Sequence, residues 1–333
     1  MTIAAPIPDA APVTKAVRGN IGRYWLIRLG ITIPFTDVPL RELGPLVRRV
    51  EEAGYDSVWS AESTDFDGFT PLVIAAEHSE RMRLVTGIVN VFTRGPALLA
   101  QSAAALAEAS DGRFVLGLGA SSNVIVERWN EIPFRRPLAK VEATVSYVRA
   151  AFAGERVTGG FRLASPPAKP VPIVLAALRE PMLRLAARVA DGAFTNFLPL
   201  SRAAQVVEAF GEPDKELACR FFSIHGRDDE EALAAAKRMF VAYATVPVYT
   251  EFFRWLGVGA ELEPVVQAWN RGDRRRAVEL VPEPLVREIF LLGPVEAQRE
   301  RLTEFERAGI TTGVLAFSCP PTALAKLIDS FAQ

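Results

Sequence analysis

Two apolar runs in this chain end in glycines and small polar residues, the kind of backbone that lets a ligand come close. One is Val85-Thr86-Gly87-Ile88-Val89-Asn90; the other is Phe114-Val115-Leu116-Gly117-Leu118-Gly119, followed by Ala120-Ser121-Ser122. Between them Arg94-Gly95-Pro96 opens an Ala-rich stretch that stops at Asp111-Gly112, so the segment reads as strand, helix, strand. A right-handed βαβ unit sets both strand ends on one rim of a parallel sheet, where such folds bind ligands. At that rim the amides around Gly117 and Gly119, with the Ser121 hydroxyl, can approach a phosphate unobstructed. Glycines that merely end strands have the same spelling, so this pattern alone is weak.

Titratable groups at the same rim are few. Glu62 follows the second predicted strand in Trp59-Ser60-Ala61-Glu62-Ser63. Burial beside an apolar ring would raise its pKa and suit it to proton transfer; a carboxylate that caps a helix or pairs with an arginine is the other reading. The chain has two histidines. His78 lies inside a predicted helix and reads as structural. His225 directly follows the seventh predicted strand, either as a proton donor or substrate ligand or as a solvated loop side chain. No His, Cys and carboxylate cluster has metal-ligand spacing, and no serine stands in a nucleophile elbow. Metal chemistry and hydrolysis are therefore disfavoured.

The elements that must position these residues alternate regularly. Strands are expected at Ile27 to Ile33, Tyr55 to Ser60, Val85 to Asn90, Phe114 to Gly119, Pro170 to Ala177, Ala193 to Phe197, Ala218 to Ile224 and Thr312 to Phe317. Helical spacing of Leu40, Leu43, Leu46, Val47 and Val50, and the prolines at 71, 96 and 181, place helices between them. Eight strands alternating with helices predict an α/β fold, a (β/α)8 TIM barrel, as one domain over 26–333 behind an N-terminal tail, 1–25. Insertions follow strands four and seven. The second, helical and at about 246–290, carries Tyr249, Phe252, Phe253, Trp255, Leu256 and Trp269, which either roof an apolar pocket or form core or a subunit contact.

Composition narrows the partners. Lys plus Arg (38) nearly cancel Asp plus Glu (39), with no long basic block, which argues against nucleic acid. The longest uncharged run, Ala308 to Ala325, is broken by Pro320-Pro321 and fails as a membrane span. Cys219 and Cys319 form neither a disulfide framework nor a metal pattern, and with no signal peptide expected at the N-terminus a cytoplasmic location is the expectation.

Five segments, taken in order and spacing, carry a family resemblance: Glu52-Ala53-Gly54-Tyr55-Asp56-Ser57-Val58-Trp59, Thr70-Pro71 through Ala75-Ala76-Glu77-His78, Thr86-Gly87-Ile88-Val89-Asn90, Asp111 through Gly119, and Ala190-Asp191-Gly192. Over roughly residues 27 to 333 the chain resembles the luciferase-like monooxygenase superfamily, in its branch that uses coenzyme F420. The resemblance implies a barrel of the bacterial-luciferase type, a deazaflavin or flavin cofactor, a small-molecule substrate and a homodimer. It also implies a bulge in the third strand with a non-prolyl cis peptide at Gly87-Ile88 behind the cofactor ring. Thr86, Gly87, Ile88 and Asn90 would then contact the cofactor, as would Gly119, Ala120 and Ser121, with Ala176, Ala177 and the start of the Pro181 helix opposite.

Two positions depart from the family pattern. Many relatives have glycine where Arg179 stands, and its guanidinium either pairs with a cofactor phosphate or occludes that pocket. Many have histidine where Ser63 stands, which leaves Glu62, His225 or water to manage a proton. The function expected from the resemblance is F420-dependent hydride transfer to or from a carbonyl, alcohol or activated double bond. An FMN-dependent monooxygenase on the same barrel is the alternative, and a cofactor-binding barrel without catalysis is the second alternative.

Overall fold

The computed structural model describes residues 27–225 and 228–332; the expected tail, 1–25, lies outside them. Nine strands, β1 (Arg28–Ile33), β2 (Ser57–Ser60), β3 (Arg83–Thr86), β4 (Val89–Asn90), β5 (Phe114–Gly119), β6 (Ile173–Ala176), β7 (Gly192–Asn196), β8 (Glu216–Ile224) and β9 (Thr312–Ser318), pair in parallel in the order β3-β2-β1-β9-β8-β7-β6-β5-β4. A β3–β5 pairing closes the sheet. Since β3 and β4 both lie on β5, they are halves of one barrel strand, and the closed barrel has eight. Each strand falls where the sequence places one.

The surrounding helices are α1 (Leu43–Glu52), α2 (Thr70–Glu77), α3 (Pro96–Ala109), α4 (Pro137–Phe152), α5 (Glu180–Val189), α6 (Ala203–Phe210), α7 (Asp229–Ala244), α8 (Pro247–Trp255), α9 (Gly259–Asn270), α10 (Arg274–Glu279), α11 (Glu283–Ile289), α12 (Val295–Arg307) and α13 (Pro321–Ser330). Proline opens α2, α3, α4, α5, α8, α11 and α13, where its missing N–H costs nothing and its φ is already helical. In α1, Leu43, Val47 and Val50 are buried on one stripe, as their spacing requires.

The structure differs from the sequence reading at three places. The third strand is broken between Thr86 and Val89, because a bulge lifts Gly87 and Ile88 out of the ladder. The fifth starts at Ile173 and not at Pro170, since neither Pro170 nor Pro172 has an N–H to donate. Within the segment after the fourth barrel strand, Val124–Trp129 forms a π-helical stretch.

The barrel lumen is filled by Trp59, Val85, Val115, Val174, Phe194, Ala218 and Val314, so it is a packed core with a floor and a mouth. At the floor Arg83 grips Glu216 through two bonds, Nη1 to Oε1 at 3.0 Å and Nη2 to Oε2 at 2.7 Å, while Thr312 Oγ1 donates to Oε1 at 2.6 Å. Burial alone would raise the Glu216 carboxyl; the Arg83 guanidinium, helped by Arg28 and Thr312, outweighs it and holds the group at about 2. In the helical segment α8 to α11, Phe252 and Phe253 are fully buried and serve as core. Tyr249 instead joins Phe197, Phe222 and Tyr243 over the ends of β7 and β8. Among the described residues no helix is long and apolar enough to cross a membrane, and no group of three or more metal-binding side chains occurs.

Candidate active site

At the mouth, the bulged strand is held by groups that replace its lost ladder bonds. The Gly87-Ile88 bond is cis. Gly87 N–H donates to Ser60 O at 2.6 Å, and Glu62 N–H donates to Ile88 O at 3.1 Å. Thr86 Oγ1 accepts from Gly117 N at 2.7 Å and donates to Gly117 O at 2.9 Å, tying β3 to β5 where the regular pairing stops. Arg220, reaching from β8 across the lumen, donates from Nη2 to Gly87 O at 2.7 Å. Gly87 N–H, Gly87 O and Ile88 O, displaced by the bulge, therefore keep partners.

Glycine is required on both sides of this contact. A Cβ on Gly117 would lie 1.7 Å from Thr86 O, and one on Gly87 would lie 2.8 Å from Trp59 Cε3. Ile88 then packs against Gly119, where an added Cβ would meet Ile88 Cδ1 at 2.8 Å and Ala176 Cβ at 3.0 Å. Ile88, Gly119 and Ala176 thus share one close-packed wall, with Trp59 and Phe194 beneath it, their ring centroids 4.8 Å apart.

Beside the bulge opens a cleft of about 390 Å³, lined by Glu62, Ser63, Ile88, Asn90, Arg94, Ser121 and Trp129 among others. Glu62 Oε1 accepts from Arg94 Nε at 2.6 Å, and Oε2 accepts from Asn90 N at 3.2 Å. Of its two sequence readings, the geometry matches the carboxylate paired with an arginine. Asn90 is buried; its Oδ1 accepts from Phe92 N at 2.8 Å, and its Nδ2 has no partner. Ser121 adopts φ 61°, a left-handed turn at the cleft edge.

The opposite side of the mouth carries groups the sequence reading did not single out. Arg220 Cζ lies 5.2 Å from the centroid of the Phe194 ring, and its Nε is buried without an acceptor. Asn196, level with Arg220 in the β7–β8 register, donates from Nδ2 to Tyr249 Oη at 3.2 Å. Arg220 had a readable signal: it is the one charge in the run Leu217 to Ile224, and it stands two residues after the inward-facing Ala218.

Several expected site residues are engaged elsewhere. The Thr86 hydroxyl is committed to Gly117, and the Ala177 side chain is buried in the core outside the barrel. Ala120 is partly buried against that same core. Arg179 is exposed and approaches Glu251 of α8 only to 3.7 Å. His225 bonds through Nε2 to Ser223 Oγ at 2.7 Å, and Ser223 Oγ donates to Gln298 Oε1 at 2.6 Å. Because that hydroxyl proton is used, Nε2 must be the donor, and the imidazole faces α12, outside the lumen. Burial lowers the His225 pKa. His78, expected inside a helix, stands just past the end of α2 and accepts at Nδ1 from Arg48 Nη1 at 2.6 Å.

Comparison with known proteins agrees with this architecture. The family model described as luciferase-like monooxygenase matches residues 26–312. A candidate coenzyme F420-dependent oxidoreductase of Mycobacterium tuberculosis is 26% identical over 332 residues, covering 87% of this chain and 94% of that protein. Two solved structures share the fold. The coenzyme F420-dependent tetrahydromethanopterin reductase of Methanopyrus kandleri superposes with TM-score 0.72 at 21% identity, over 92% of this chain and 97% of that one. An F420-dependent secondary alcohol dehydrogenase, solved with an F420-acetone adduct, gives TM-score 0.74 at 18% identity, over 92% and 98%. The family match runs from just before β1 to the first residue of β9, most of the chain and seven of the eight barrel strands, and the chain therefore belongs to the luciferase-like monooxygenase family of oxidoreductases.

Proposed function

We propose that this chain is a coenzyme F420-dependent oxidoreductase that moves a hydride between the deazaflavin and a small organic substrate: a carbonyl, an alcohol or an activated double bond. The bulged third strand is the main support, because it sets Ile88 and Asn90 on the wall of a cleft of about 390 Å³ at the barrel mouth. The residues fit a flat heterocycle with carbonyl oxygens. Asn90 Nδ2 is a buried donor without an acceptor beside Ile88, and Gly119 and Ala176 keep bulky side chains away from Ile88. The similarity to an F420-dependent candidate from Mycobacterium tuberculosis favours the deazaflavin over FMN.

In this reading Gly87 and Ile88 back the ring, Asn90 meets its polar edge, and Ser121 with the Gly119 and Ala120 backbone takes the tail. Arg179, exposed and loosely paired, turns to a phosphate. When bound, the cofactor supplies a carbon that gives or accepts a hydride. Trp59 and Phe194 close the lumen below and exclude water from that direction. Glu62 positions Arg94 and the Asn90 backbone, and His225, turned to Ser223, lies outside the reacting volume.

Titrating the purified full-length protein with oxidised F420 and with FMN, followed by tryptophan quenching, tests the cofactor. Binding of F420 with little binding of FMN is expected; tight FMN binding without F420 would overturn the proposal and favour the monooxygenase. Binding of F420 with no turnover of any alcohol, aldehyde or enone would leave a binding barrel instead of an enzyme. Sedimentation velocity of the same sample tests the homodimer that the resemblance implies.

A further inference from the structure

We infer that the inner wall formed by Arg220, Asn196 and Tyr249 receives an oxyanion, and that the substrate is a small organic acid whose carboxylate Arg220 holds. The inference names the substrate class of the proposed hydride transfer and rests on that reading for the chemistry, though not for the binding.

Arg220 is set apart from the other arginines of the barrel interior and mouth. Arg83 has Glu216, and Arg94 has Glu62. Arg220 has no carboxylate partner among the described residues; it has Gly87 O, the Phe194 ring and a buried Nε with no acceptor. Burial pushes its pKa down, and the neighbours that offset this are the Tyr243 and Tyr249 phenols and the Cys219 thiol, none of them a carboxylate. A guanidinium nitrogen buried without an acceptor is left unsatisfied, and one carbonyl bond and one ring contact elsewhere on the group do not replace that partner. Retaining it is understandable if an anion arrives to complete it.

The neighbouring polar groups have the matching bias. Tyr249 Oη already accepts from Asn196 Nδ2 at 3.2 Å, so its own proton is left to donate. Burial raises that phenol to about 12, which keeps it a donor across the physiological range. Asn196 Oδ1 is occupied by Phe197 N at 3.0 Å. Of these three side chains, Arg220 Nε and the Tyr249 hydroxyl are left to donate. A single guanidinium with one phenol suits a planar monoanion such as a carboxylate, which it can bind in a charge-assisted fork. Phe194 below, its ring centroid 5.2 Å from Arg220 Cζ, supplies an apolar face for the carbon skeleton.

Isothermal titration of the full-length protein tests this, using benzoate and crotonate as probes, each against its uncharged amide, with and without saturating F420. The acids should bind about tenfold or more tighter than the amides. Arg220→Met should remove that preference, Arg220→Lys should keep part of it, and Tyr249→Phe should weaken acid binding by about threefold or more. Acids binding no tighter than amides, or a preference that survives Arg220→Met, would overturn the inference. So would Arg220→Met collapsing F420 affinity while wild type shows no acid preference, because the guanidinium would then serve the cofactor. If Arg220→Met does not fold by thermal melt, acid affinity unchanged in both Arg220→Lys and Tyr249→Phe overturns it equally. Acid preference in a protein that binds no F420 would sink the cofactor reading alone.

Discussion

Arg94 grips Glu62 with Nε and Nη2, both 2.6 Å from Oε1, while Oε2 receives the Asn90 amide. With both oxygens engaged, the carboxylate braces the loop that follows β4. Glu62→Gln should lower stability by about 1–2 kcal/mol in urea unfolding and leave the pH profile of turnover in place. Loss of one limb of that profile would make Glu62 the proton carrier instead. The position of Glu62 at the rim was legible because it directly follows an apolar strand. Its partner was not, since Arg94 lies 32 residues on and meets it only through the path of the bulge. The same holds for His225: the strand end was readable, but its turn toward Ser223 and Gln298 depends on α12, 75 residues beyond Ser223.

Strand interruption is a property of elements, and here one hydroxyl spans it. Thr86 Oγ1 serves both the N–H and the C=O of Gly117. Thr86→Val keeps the shape and strands a buried N–H, so a loss of about 2–3 kcal/mol is expected by denaturant unfolding. Gly117→Ala should be worse, more than about 3 kcal/mol or no soluble protein, because its Cβ would meet Thr86 O at 1.7 Å. A Gly117→Ala protein as stable as wild type would refute this account of the bulge. Alternating apolar residues and helix-opening prolines made the strands and helices readable within a few residues. The break at Gly87 was not derivable from those patterns, since a glycine inside an apolar run spells an ordinary strand; only the family resemblance pointed to it. Ala177 shows the opposite limit, where a one-residue phase along β6 sends the side chain to the outer core while Ala176 faces the wall beside Ile88.

At the scale of the whole molecule, the floor of the barrel carries the clearest acid sensitivity. Glu216 sits at about 2 in the fold against an ordinary 4.5, so its stabilisation is complete above about pH 4.5 and fades as pH falls toward 2. Glu216→Gln should cost about 3–5 kcal/mol at neutral pH by leaving Arg83 buried without its anion, and should flatten the acid limb of the urea midpoint. An unchanged acid limb would remove Glu216 from that role. Closure itself was legible from eight strands in alternation, but the cross-lumen contacts were not, because they join residues that only the closed ring brings together. The third and seventh barrel strands stand opposite each other, four steps apart in either direction around the ring. Arg83 meets Glu216, and the Gly87 carbonyl meets Arg220, across the same sequence interval of 133 residues. Neither strut can exist until the chain has been made through β8, so the early strands must wait with an unanswered charge and an unanswered carbonyl. Both ends of the barrel are accordingly locked by contacts of long sequence separation, the kind whose loop closure slows folding relative to local pairing.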